Sequence, residues 1–335
     1  MPRLLAVCAV ASPGGAEIVA VRLLRRLAAR GWSPTLASPA PGPLRETARR
    51  EGWEWAELPL GGLARGAGAR ALASFPKARR LAAEHDIVLL NGGVPARVLP
   101  AAGAARTALF VHDLVERVPR HWRRADVVLA NSRVVADRLS PLRAHVVGVP
   151  VELDPPQTPP PWEPGPAPVI GFVGRLEPRK APLDLVRAAP AIRRARPDAR
   201  IVLVGGEPFG ARGYAEAVRQ ARGVEHYGWV DDAAALMRHL DVLVVPSREE
   251  PLGAVAAEAL AAGTPVVATS VGGLREVVED GVTGALVPPN RPGELAAATV
   301  RVLERREEMG VAAKCHAARF AADAFADRVE VLLRP

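Results

Sequence analysis

Short apolar runs alternate with amphipathic, helix-like segments along almost the whole chain. Strands separated by helices fold most readily into parallel sheets, because each helical crossover returns the chain to the same edge of the sheet. The runs typical of buried strands are Leu4–Val10, Thr35–Ala37, Ile87–Leu90, Ala108–His112, Val127–Ala130 and His145–Val147, then Val169–Val173, Ile201–Val204, Val224–Tyr227, Val242–Val245, Pro265–Ala268 and Ala285–Val287. The alternation therefore predicts an α/β fold.

A proline-rich segment interrupts this alternation in the middle of the chain. Eight prolines occur in the fourteen residues from Pro155 to Pro168, a density that forbids a helix or a central strand. A chain of 335 residues is also long enough for two cores. We therefore expect a domain at 1–152, a stiff linker at 153–168, a second domain at 169–310 and a helical segment at 311–335 that packs back across the domain junction.

The charge is unevenly distributed between the two halves. The net charge of +8 is mostly arginine, because only three lysines occur; residues 1–150 carry +11 and residues 151–335 carry −3. A basic first half can attract an anionic acceptor or an anionic membrane surface, although scattered solvated arginines give the same total. The segment RVPRHWRR at Arg117–Arg124, with four arginines around Trp122, suits either of those partners or is a solvated basic loop.

The cysteines and the apolar runs bear on the compartment. Cys8 and Cys315 have no CxxC or metal-ligand spacing, which is typical of a reduced compartment. No run approaches the roughly 20 apolar residues of a membrane-spanning helix. The opening MPRLLAVCAV leads into a glycine turn and a helix, so we interpret it as the first strand and not as a signal peptide. We expect a cytoplasmic protein that contacts the inner membrane face only peripherally, if at all, and that has no nucleic-acid partner.

The segment Asp241–Gly273, DVLVVPSREEPLGAVAAEALAAGTPVVATSVGG, carries the strongest sign of a binding site. A buried strand ends at Pro246, a loop carries Glu249 and Glu250, and a helix begins near Gly253, where free N–H groups suit phosphate or sugar oxygens. Glu250 and Glu258 are roughly 12 Å apart at the helical rise, which compares with the span from a donor sugar to the ribose of a sugar nucleotide. Alternatively, Glu258 is solvated on an exposed helix edge.

Three other short segments place polar or glycine residues after predicted strands. GRLEPRK puts Arg175 and Lys180 where such folds bind ligands, and two cations suit a diphosphate leaving group, although surface ion pairing is the alternative. SPGGAE puts Gly14 and Gly15 at a helix start, which permits close approach of a ligand. His112, after the strand ALFV, can hydrogen-bond a sugar or stabilise a developing positive charge, or is a satisfied core or surface histidine.

In this order, these segments resemble the retaining, family 4 type of GT-B glycosyltransferases over nearly the whole chain. The matching pieces are Gly14 and Gly15, His112, GRLxxxK from Gly174 to Lys180, the VGGEP turn at Val204–Pro208, YGWV at Tyr227–Val230, the Glu-x7-Glu pair Glu250 and Glu258, AAGTPVVA, and Gly272 with Gly273. The resemblance implies two Rossmann-like parallel-sheet domains facing across a cleft, with a nucleoside-diphosphate sugar bound by the second domain.

The resemblance also implies a role for each matched residue. Arg175 and Lys180 would bind the donor diphosphate, Glu250 the hydroxyls of the transferred sugar, and Glu258 the ribose. The remaining implied contacts are the amides of Leu252, Gly253, Ala254 and Val255 with sugar and phosphate, Gly205, Gly206 and Tyr227 with the base, His112 with the sugar, and Gly14 and Gly15 with the phosphates. Three residues depart from the family pattern: Leu252 replaces an aromatic residue, Glu207 a glycine and Trp32 a histidine.

The mechanism that such sites imply is sugar transfer to an acceptor hydroxyl with retention of the anomeric configuration, in which the departing phosphate helps to deprotonate the acceptor. No metal or other cofactor is expected, because Arg175 and Lys180 supply positive charge and no Asp-x-Asp motif precedes the donor segment. The alternatives are a sugar-nucleotide epimerase or phosphorylase on the same fold, and a non-catalytic subunit that binds nucleotide sugars. The base, the sugar and the acceptor are not determined by these motifs.

Overall fold

Parallel strands separated by helices make up both halves of the protein in a computed structural model, which describes residues 1–61, 71–155, 158–207, 212–230 and 233–334. The chain divides into two units. Unit 1 contains Met1–Pro150 and Ala322–Pro335, and unit 2 contains Val151–Ala321. The expected α/β class with two Rossmann-like parallel-sheet domains is confirmed.

The sheet of unit 1 has the order β3-β2-β1-β4-β5-β6-β7, and all its neighbouring strands are parallel. Its strands are β1 Arg3–Cys8, β2 Ser33–Ser38, β3 Glu54–Glu57, β4 Ile87–Asn91, β5 Arg106–Val111, β6 Val127–Ala130 and β7 His145–Val146. The helices between them are α1 Gly15–Ala29, α2 Pro43–Glu51, α3 Phe75–Ala83 and α4 Arg133–Arg138, with 3-10 helices at Leu72–Ser74, Pro95–Ala101 and Arg120–Arg124. The strand order reverses between β1 and β4, so the crevice at the carboxyl ends of these two strands is where such a sheet binds ligands.

The sheet of unit 2 repeats this plan with the order β10-β9-β8-β11-β12-β13, again with parallel neighbours. Its strands are β8 Val169–Val173, β9 Arg200–Val204, β10 Glu225–Tyr227, β11 Val242–Val245, β12 Val266–Thr269 and β13 Gly284–Val287. Its helices are α5 Pro182–Ala195, α6 Arg212–Arg219, α7 Ala233–Leu236, α8 Ala254–Ala262, α9 Leu274–Val277, α10 Pro292–Glu304 and α11 Arg306–Ala317, with 3-10 helices at Met237–His239 and Ala318–Phe320. The reversal of order lies between β8 and β11.

The final helix, α12 Ala322–Leu333, belongs to unit 1 although it follows unit 2 in the chain. Its Phe325 stacks on Phe110 of β5 with ring centroids 6.1 Å apart. Glu330, 8% exposed, accepts hydrogen bonds from Trp32 Nε1 at 3.0 Å and from Arg30 Nη1 at 2.9 Å. These contacts fasten α12 to the end of α1 and the start of β2.

The proline-rich segment is grouped with unit 2. Arg200 at the start of β9 donates a hydrogen bond to Glu163 O at 2.7 Å, and the rings of Trp162 and Tyr227 lie 5.5 Å apart. Pro156 and Gln157 lie outside the described residues. Among the helices that the structure describes, none has the length and apolar character needed to cross a membrane.

Candidate active site

Lys180 and Glu250 form a direct ion pair at the carboxyl edge of the unit 2 sheet. The Nζ to Oε2 distance is 2.5 Å, and the two side chains are only 16% and 7% exposed. Ser247 Oγ donates a second hydrogen bond to the same carboxylate oxygen at 3.1 Å. An ammonium group has three protons, and the contact with Glu250 uses one of them. Lys180 can therefore still donate a hydrogen bond to a ligand oxygen. The structure thus joins the loop after β8 to the loop after β11.

The loop after β8 also carries the second predicted cation. Arg175 follows Gly174 directly and forms an ion pair with Glu177 at 3.1 Å, while 47% of its side chain stays exposed. Arg179 shares the same carboxylate at 3.2 Å. Among the described residues, Arg175 forms an ion pair with Glu177 on its own loop and is half exposed, so its guanidinium has unused donors for an anion.

Two glycines after β12 allow the Glu250 loop to reach its position. A Cβ atom at Gly272 would lie 1.9 Å from Glu250 O, and one at Gly273 would lie 2.4 Å from Leu252 Cα. The Gly273 N–H donates to Glu250 O at 3.0 Å. The two glycines are therefore required by close backbone contact with the Glu250 loop.

A buried carboxylate that the sequence did not single out connects these loops further. Asp184, in the first turn of α5, has a side chain only 4% exposed and contacts Arg187 at 2.7 Å and Arg248 at 3.3 Å. The Arg248 backbone N–H donates to Arg179 O at 2.8 Å. Asp184 therefore ties the residues just before Glu250 to the helix that begins just after Lys180. No local pattern marks this contact, because Asp184 and Arg248 are 64 positions apart in the chain.

Helix α8 begins directly after the Glu250 loop, as expected. Gly253 is its N-cap in a left-handed conformation with φ of +101°, and a Cβ there would collide with Leu274. Leu252 is buried, whereas Ala254, Val255 and Glu258 are partly exposed on one face of the helix. The first turn of α8 and the face that carries Glu258 are therefore partly accessible, and they follow Glu250 directly in the chain.

The glycine turn after β9 brings a third loop against the Arg175 segment. The Gly205 N–H donates to Tyr227 O at 3.1 Å, and Leu176 N–H donates to Gly206 O at 2.9 Å. A Cβ at Gly205 would lie 1.8 Å from Gly174 O, so only glycine permits this approach. Pro208, the last residue of the predicted VGGEP turn, lies outside the described residues.

Tyr227 and Trp229 follow this turn at the end of β10. The Tyr227 hydroxyl donates to Glu225 at 2.8 Å, so its phenol end is already engaged. Trp229 is 61% exposed and lies beside Gly206. A Cβ atom added at Gly206 would lie 3.4 Å from the indole ring of Trp229. An exposed tryptophan next to a glycine turn offers a flat apolar surface that the sequence analysis did not identify.

In unit 1, Gly14 and Gly15 lie at the start of α1, after the carboxyl end of β1. The Gly14 N–H donates to Glu17 Oε2 at 3.1 Å, and a Cβ at Gly15 would meet nothing within 4 Å. Burial raises the pKa of Glu17 above its ordinary value. The first glycine is therefore occupied by a local cap, and the second presents open backbone.

His112, after β5, lies on the same sheet edge of unit 1 and is 9% exposed. Its Nε2 is 2.7 Å from Asn91 Oδ1, and its backbone carbonyl accepts from Asn131 Nδ2 at 2.9 Å. Burial lowers the pKa of His112 to about 3, so the ring is uncharged at neutral pH. A neutral imidazole can hydrogen-bond a ligand, and its lone pair can stabilise a developing positive charge, so both roles expected for His112 stay predictions.

The structure corrects one interpretation of the basic segment in unit 1. Trp122 is 3% exposed and belongs to the core of the unit, so it presents no indole to a lipid surface. Arg117, Arg120 and Arg123 around it are exposed. Only the arginines of this segment are available to an anionic partner.

Two family models match the chain, one in each half. The model described as Glycosyltransferase Family 4 matches residues 13–155, and the model described as Glycosyl transferases group 1 matches residues 167–305. Each predicted site residue of the corresponding half lies within these ranges.

Curated relatives and solved structures agree with the family models. The D-inositol 3-phosphate glycosyltransferase of Geodermatophilus obscurus is 42% identical over 171 residues, which cover 45% of this chain and 37% of that protein. The protein of the same name from Mycobacterium sp. (strain KMS) is 35% identical over 265 residues, covering 72% of this chain and 56% of that protein. The matched regions thus span less than two thirds of either relative.

Solved structures share the fold of this chain. Anabaena Alr3699/HepE, in complex with UDP and glucose and in complex with UDP-glucose, has TM-scores of 0.83 and 0.82 and 22% sequence identity, with 99% of both chains covered. The resemblance deduced from the motifs is therefore confirmed at the level of family and fold. The chain belongs to the family 4 type of glycosyltransferases with the GT-B fold.

Proposed function

We propose that this protein transfers a sugar from a nucleoside-diphosphate sugar to an acceptor hydroxyl with retention of the anomeric configuration. The observation that carries the proposal is the buried Lys180–Glu250 pair, held at 2.5 Å at the carboxyl edge of a doubly wound sheet. This pair differs from a surface ion pair, because removing both charges from water costs free energy that their attraction only partly offsets. Its position at the edge where doubly wound sheets bind ligands therefore supports a role in binding.

The donor is assigned to unit 2. Lys180 and the half-exposed Arg175 bind the diphosphate, whose negative charge grows as the glycosidic bond breaks. Glu250 accepts hydrogen bonds from hydroxyls of the transferred sugar, and Glu258 accepts them from the ribose. The N–H groups of Leu252, Gly253, Ala254 and Val255 contact sugar and phosphate, and Gly205, Gly206 and Tyr227 lie beside the base. The UDP complexes of Alr3699/HepE make UDP-glucose the first donor to test.

Unit 1 is assigned to the acceptor side. His112 contacts the sugar as a neutral hydrogen-bonding group, and Gly14 and Gly15 lie near the phosphates, with open backbone at Gly15. The departing phosphate helps to deprotonate the acceptor hydroxyl, so the first half needs no dedicated general base.

The stereochemical outcome tests the proposal directly. The anomeric configuration of the product, measured by NMR early in the reaction before any mutarotation, should equal that of the donor. An inverted product would overturn the retaining mechanism. Donor turnover without an acceptor alcohol would instead favour an epimerase or phosphorylase, and donor binding without transfer to any acceptor or to water would favour a non-catalytic subunit.

We propose that the reaction requires no metal ion, because Arg175 and Lys180 supply the positive charge at the diphosphate. Transfer should then proceed at the same rate after dialysis against EDTA and after addition of Mg²⁺ or Mn²⁺. A rate that collapses in EDTA and returns with Mg²⁺ would contradict this assignment.

We also propose an anionic acceptor, either free or carried by a lipid at the cytoplasmic membrane face. Residues 1–150 carry a net charge of +11, and the curated relatives are named for D-inositol 3-phosphate, a phosphorylated polyol. Transfer to D-inositol 3-phosphate should exceed transfer to inositol, and the preference should weaken as salt is added. Co-sedimentation with anionic vesicles at low salt, and its loss at high salt, tests the lipid-linked form; no sedimentation at low salt excludes it.

A further inference from the structure

Asn91 connects three elements at the ligand-binding edge of unit 1, and no motif of the sequence pointed to it. It is the last residue of β4 and is 1% exposed. Its Nδ2 donates to Ala16 O in the first turn of α1 at 3.0 Å, and its Oδ1 lies 2.7 Å from His112 Nε2. Asn91 therefore stands between the glycine turn of α1 and the histidine after β5.

The partners of Asn91 fix the direction of its amide group. A backbone carbonyl can only accept hydrogen bonds, so the NH₂ end of Asn91 must face Ala16 O. The amide oxygen consequently faces His112. Since that oxygen is also only an acceptor, the proton in the 2.7 Å contact belongs to His112 Nε2.

A second consequence concerns the other ring nitrogen. A neutral imidazole carries one proton, so with Nε2 protonated Nδ1 is a bare acceptor. Among the described residues no group hydrogen-bonds with Nδ1, and Nδ1 is not one of the enclosed polar atoms that lack a partner. The histidine thus presents an acceptor, and no proton, to a ligand.

We propose that Asn91 is a positioning residue that holds His112 in the Nε2-protonated tautomer, so that Nδ1 accepts a hydrogen bond from a hydroxyl group of the bound sugar. This rests on the proposed function for the identity of the ligand. In this tautomer the free nitrogen of His112 can only accept a hydrogen bond. The site therefore favours ligand groups that donate one, such as hydroxyls, over groups that cannot, such as phosphate dianions.

The groups around Asn91 support a neutral arrangement. Cys8, at the end of β1, also contacts Asn91, and burial raises the pKa of its thiol so that it stays protonated. Glu17 and Asp113 are the nearby carboxyl groups, and they interact with each other. The His112 ring itself contacts Phe110 at a centroid distance of 4.0 Å. No charged group therefore hydrogen-bonds the ring among the described residues, which leaves Asn91 to set its tautomer.

The tautomer can be read directly from long-range ¹H–¹⁵N NMR spectra of the full chain labelled on its seven histidines, with His112 assigned by the loss of its signals in His112→Asn. We expect a protonated Nε2 and a bare Nδ1 in the wild type, unchanged between pH 5 and pH 8. Addition of UDP-glucose should shift the Nδ1 resonance. A wild-type spectrum with the proton on Nδ1, or on both nitrogens, would overturn the inference without any variant having to fold.

Asn91→Leu and Asn131→Ala form a matched pair of variants. Asn131 hydrogen-bonds the backbone carbonyl of His112 and not its ring, so its removal should leave the tautomer unchanged. Asn91→Leu should give a mixture of tautomers and lower kcat/KM for UDP-glucose about tenfold below Asn131→Ala, since one oriented hydrogen bond is lost. Equal spectra and equal kcat/KM in the two variants would also contradict the inference.

The two levels of proposal fail in different ways. A wild-type protein that neither binds nor turns over any nucleotide sugar would refute the proposed function, whatever the tautomer is. A protein that turns over UDP-glucose normally while His112 carries its proton on Nδ1 would refute the role of Asn91 and leave the proposed function intact.

Discussion

Lys180 and Glu250 are seventy positions apart in the chain and share one hydrogen bond. Each charge is largely buried and is stabilised by the other. A buried charge without a partner would lose its hydration without any compensating attraction. In the proposed function, Lys180 binds the diphosphate and Glu250 binds the sugar. At the residue scale, stability and the proposed chemistry therefore depend on the same two side chains.

Removal of either partner should cost unequal amounts of stability. Lys180→Met leaves Glu250 buried and charged, so its free energy of unfolding should fall by about 3 kcal/mol, whereas Glu250→Gln keeps the shape and should cost about 1 kcal/mol. The double variant should recover part of the Lys180→Met loss. Urea titrations of all four proteins measure this; strictly additive losses would mean that the two side chains are not coupled.

Gly272 should tolerate no side chain. Gly272→Ala places a Cβ 1.9 Å from Glu250 O, so we expect a loss of about 3 kcal/mol together with loss of donor binding. Gly281→Ala is the matched control, because its φ is +76° and a Cβ there meets nothing within 4 Å, so only the backbone penalty of about 1 kcal/mol applies. Similar thermal unfolding of the two variants would show that the close contact with Glu250 is not rigid.

The residues of the candidate site lie in loops at the ends of strands. The carboxyl ends of β8, β9 and β11 carry the Arg175 loop, the glycine turn and the Glu250 loop, and Asp184 fastens the last of these to the first turn of α5. In unit 1 the same edge carries Gly15 after β1 and His112 after β5. Parallel strands place their carboxyl ends together, so residues far apart in sequence meet at one edge.

Asp184 should matter through the loop that it holds. Asp184→Asn weakens its contact with Arg248, and we expect kcat/KM for UDP-glucose to fall about tenfold as the Glu250 loop loosens. Arg187→Ala removes the other arginine on the same carboxylate, whose side chain is 59% exposed, and should change kcat/KM less than about twofold. Equal effects of the two changes would assign Asp184 to helix stability alone.

The anchor of α12 should give a characteristic pH dependence. Hydrogen bonds from Arg334, Arg30 and Trp32 hold the pKa of Glu330 down to about 2, below the value near 4.3 expected in the unfolded chain. Its contribution to stability is therefore complete above about pH 4.3 and is lost as the pH falls towards the folded pKa. Glu330→Gln should be about 2 kcal/mol less stable than wild type at pH 7 and nearly equal to it at pH 2 to 3. A difference that stays constant over this range would show that the charge of Glu330 is not involved.

Most elements were predictable because their signals are local. Apolar runs such as Val169–Val173 and Val242–Val245 coincide with observed strands, and the helix predicted from Pro182 begins there. Strand β3, Glu54–Glu57, was not predicted, since the alternation in EWAE is too short and too polar to stand out at the edge of a sheet.

The candidate site was predictable only in part. Motif spacing identified the loops of Arg175, Lys180 and Glu250, but the contact between Lys180 and Glu250 depends on the strand order, which brings β8 beside β11. Asn91, Asp184 and Trp229 escaped notice because each is a single residue whose surroundings come from distant parts of the chain. The burial of Trp122 likewise depends on distant parts of the chain, so the basic segment alone did not indicate it.

At the scale of the whole molecule, each unit has its own parallel sheet and its own core. The basic charge lies in the first half of the sequence, and the donor motifs lie in the slightly acidic second half. The chain thus divides the proposed tasks: unit 1 is suited to an anionic acceptor and unit 2 to the nucleotide sugar.

Donor binding should therefore stabilise the folded protein in a base- and sugar-dependent way. A nucleotide sugar at 100 times its dissociation constant adds about 2.7 kcal/mol to the free energy of unfolding. In a thermal-shift panel of UDP-, GDP-, ADP- and dTDP-sugars, we expect UDP-glucose to raise Tm for the wild type and to raise it less for Glu250→Gln, in which the diphosphate and ribose contacts remain. An equal rise in both proteins would place the ligand elsewhere.

The position of α12 in the sequence has a consequence for biosynthesis. Unit 1 is discontinuous, because Val151–Ala321 is inserted between its first 150 residues and the helix that covers Phe110 and Trp32. At ribosomal speeds, roughly ten to thirty seconds pass between the synthesis of residue 150 and that of residue 322. During this interval the nascent first sheet lacks its last helix, so chaperones have an apolar surface to protect, and a gene shortened after codon 150 would leave that surface uncovered permanently.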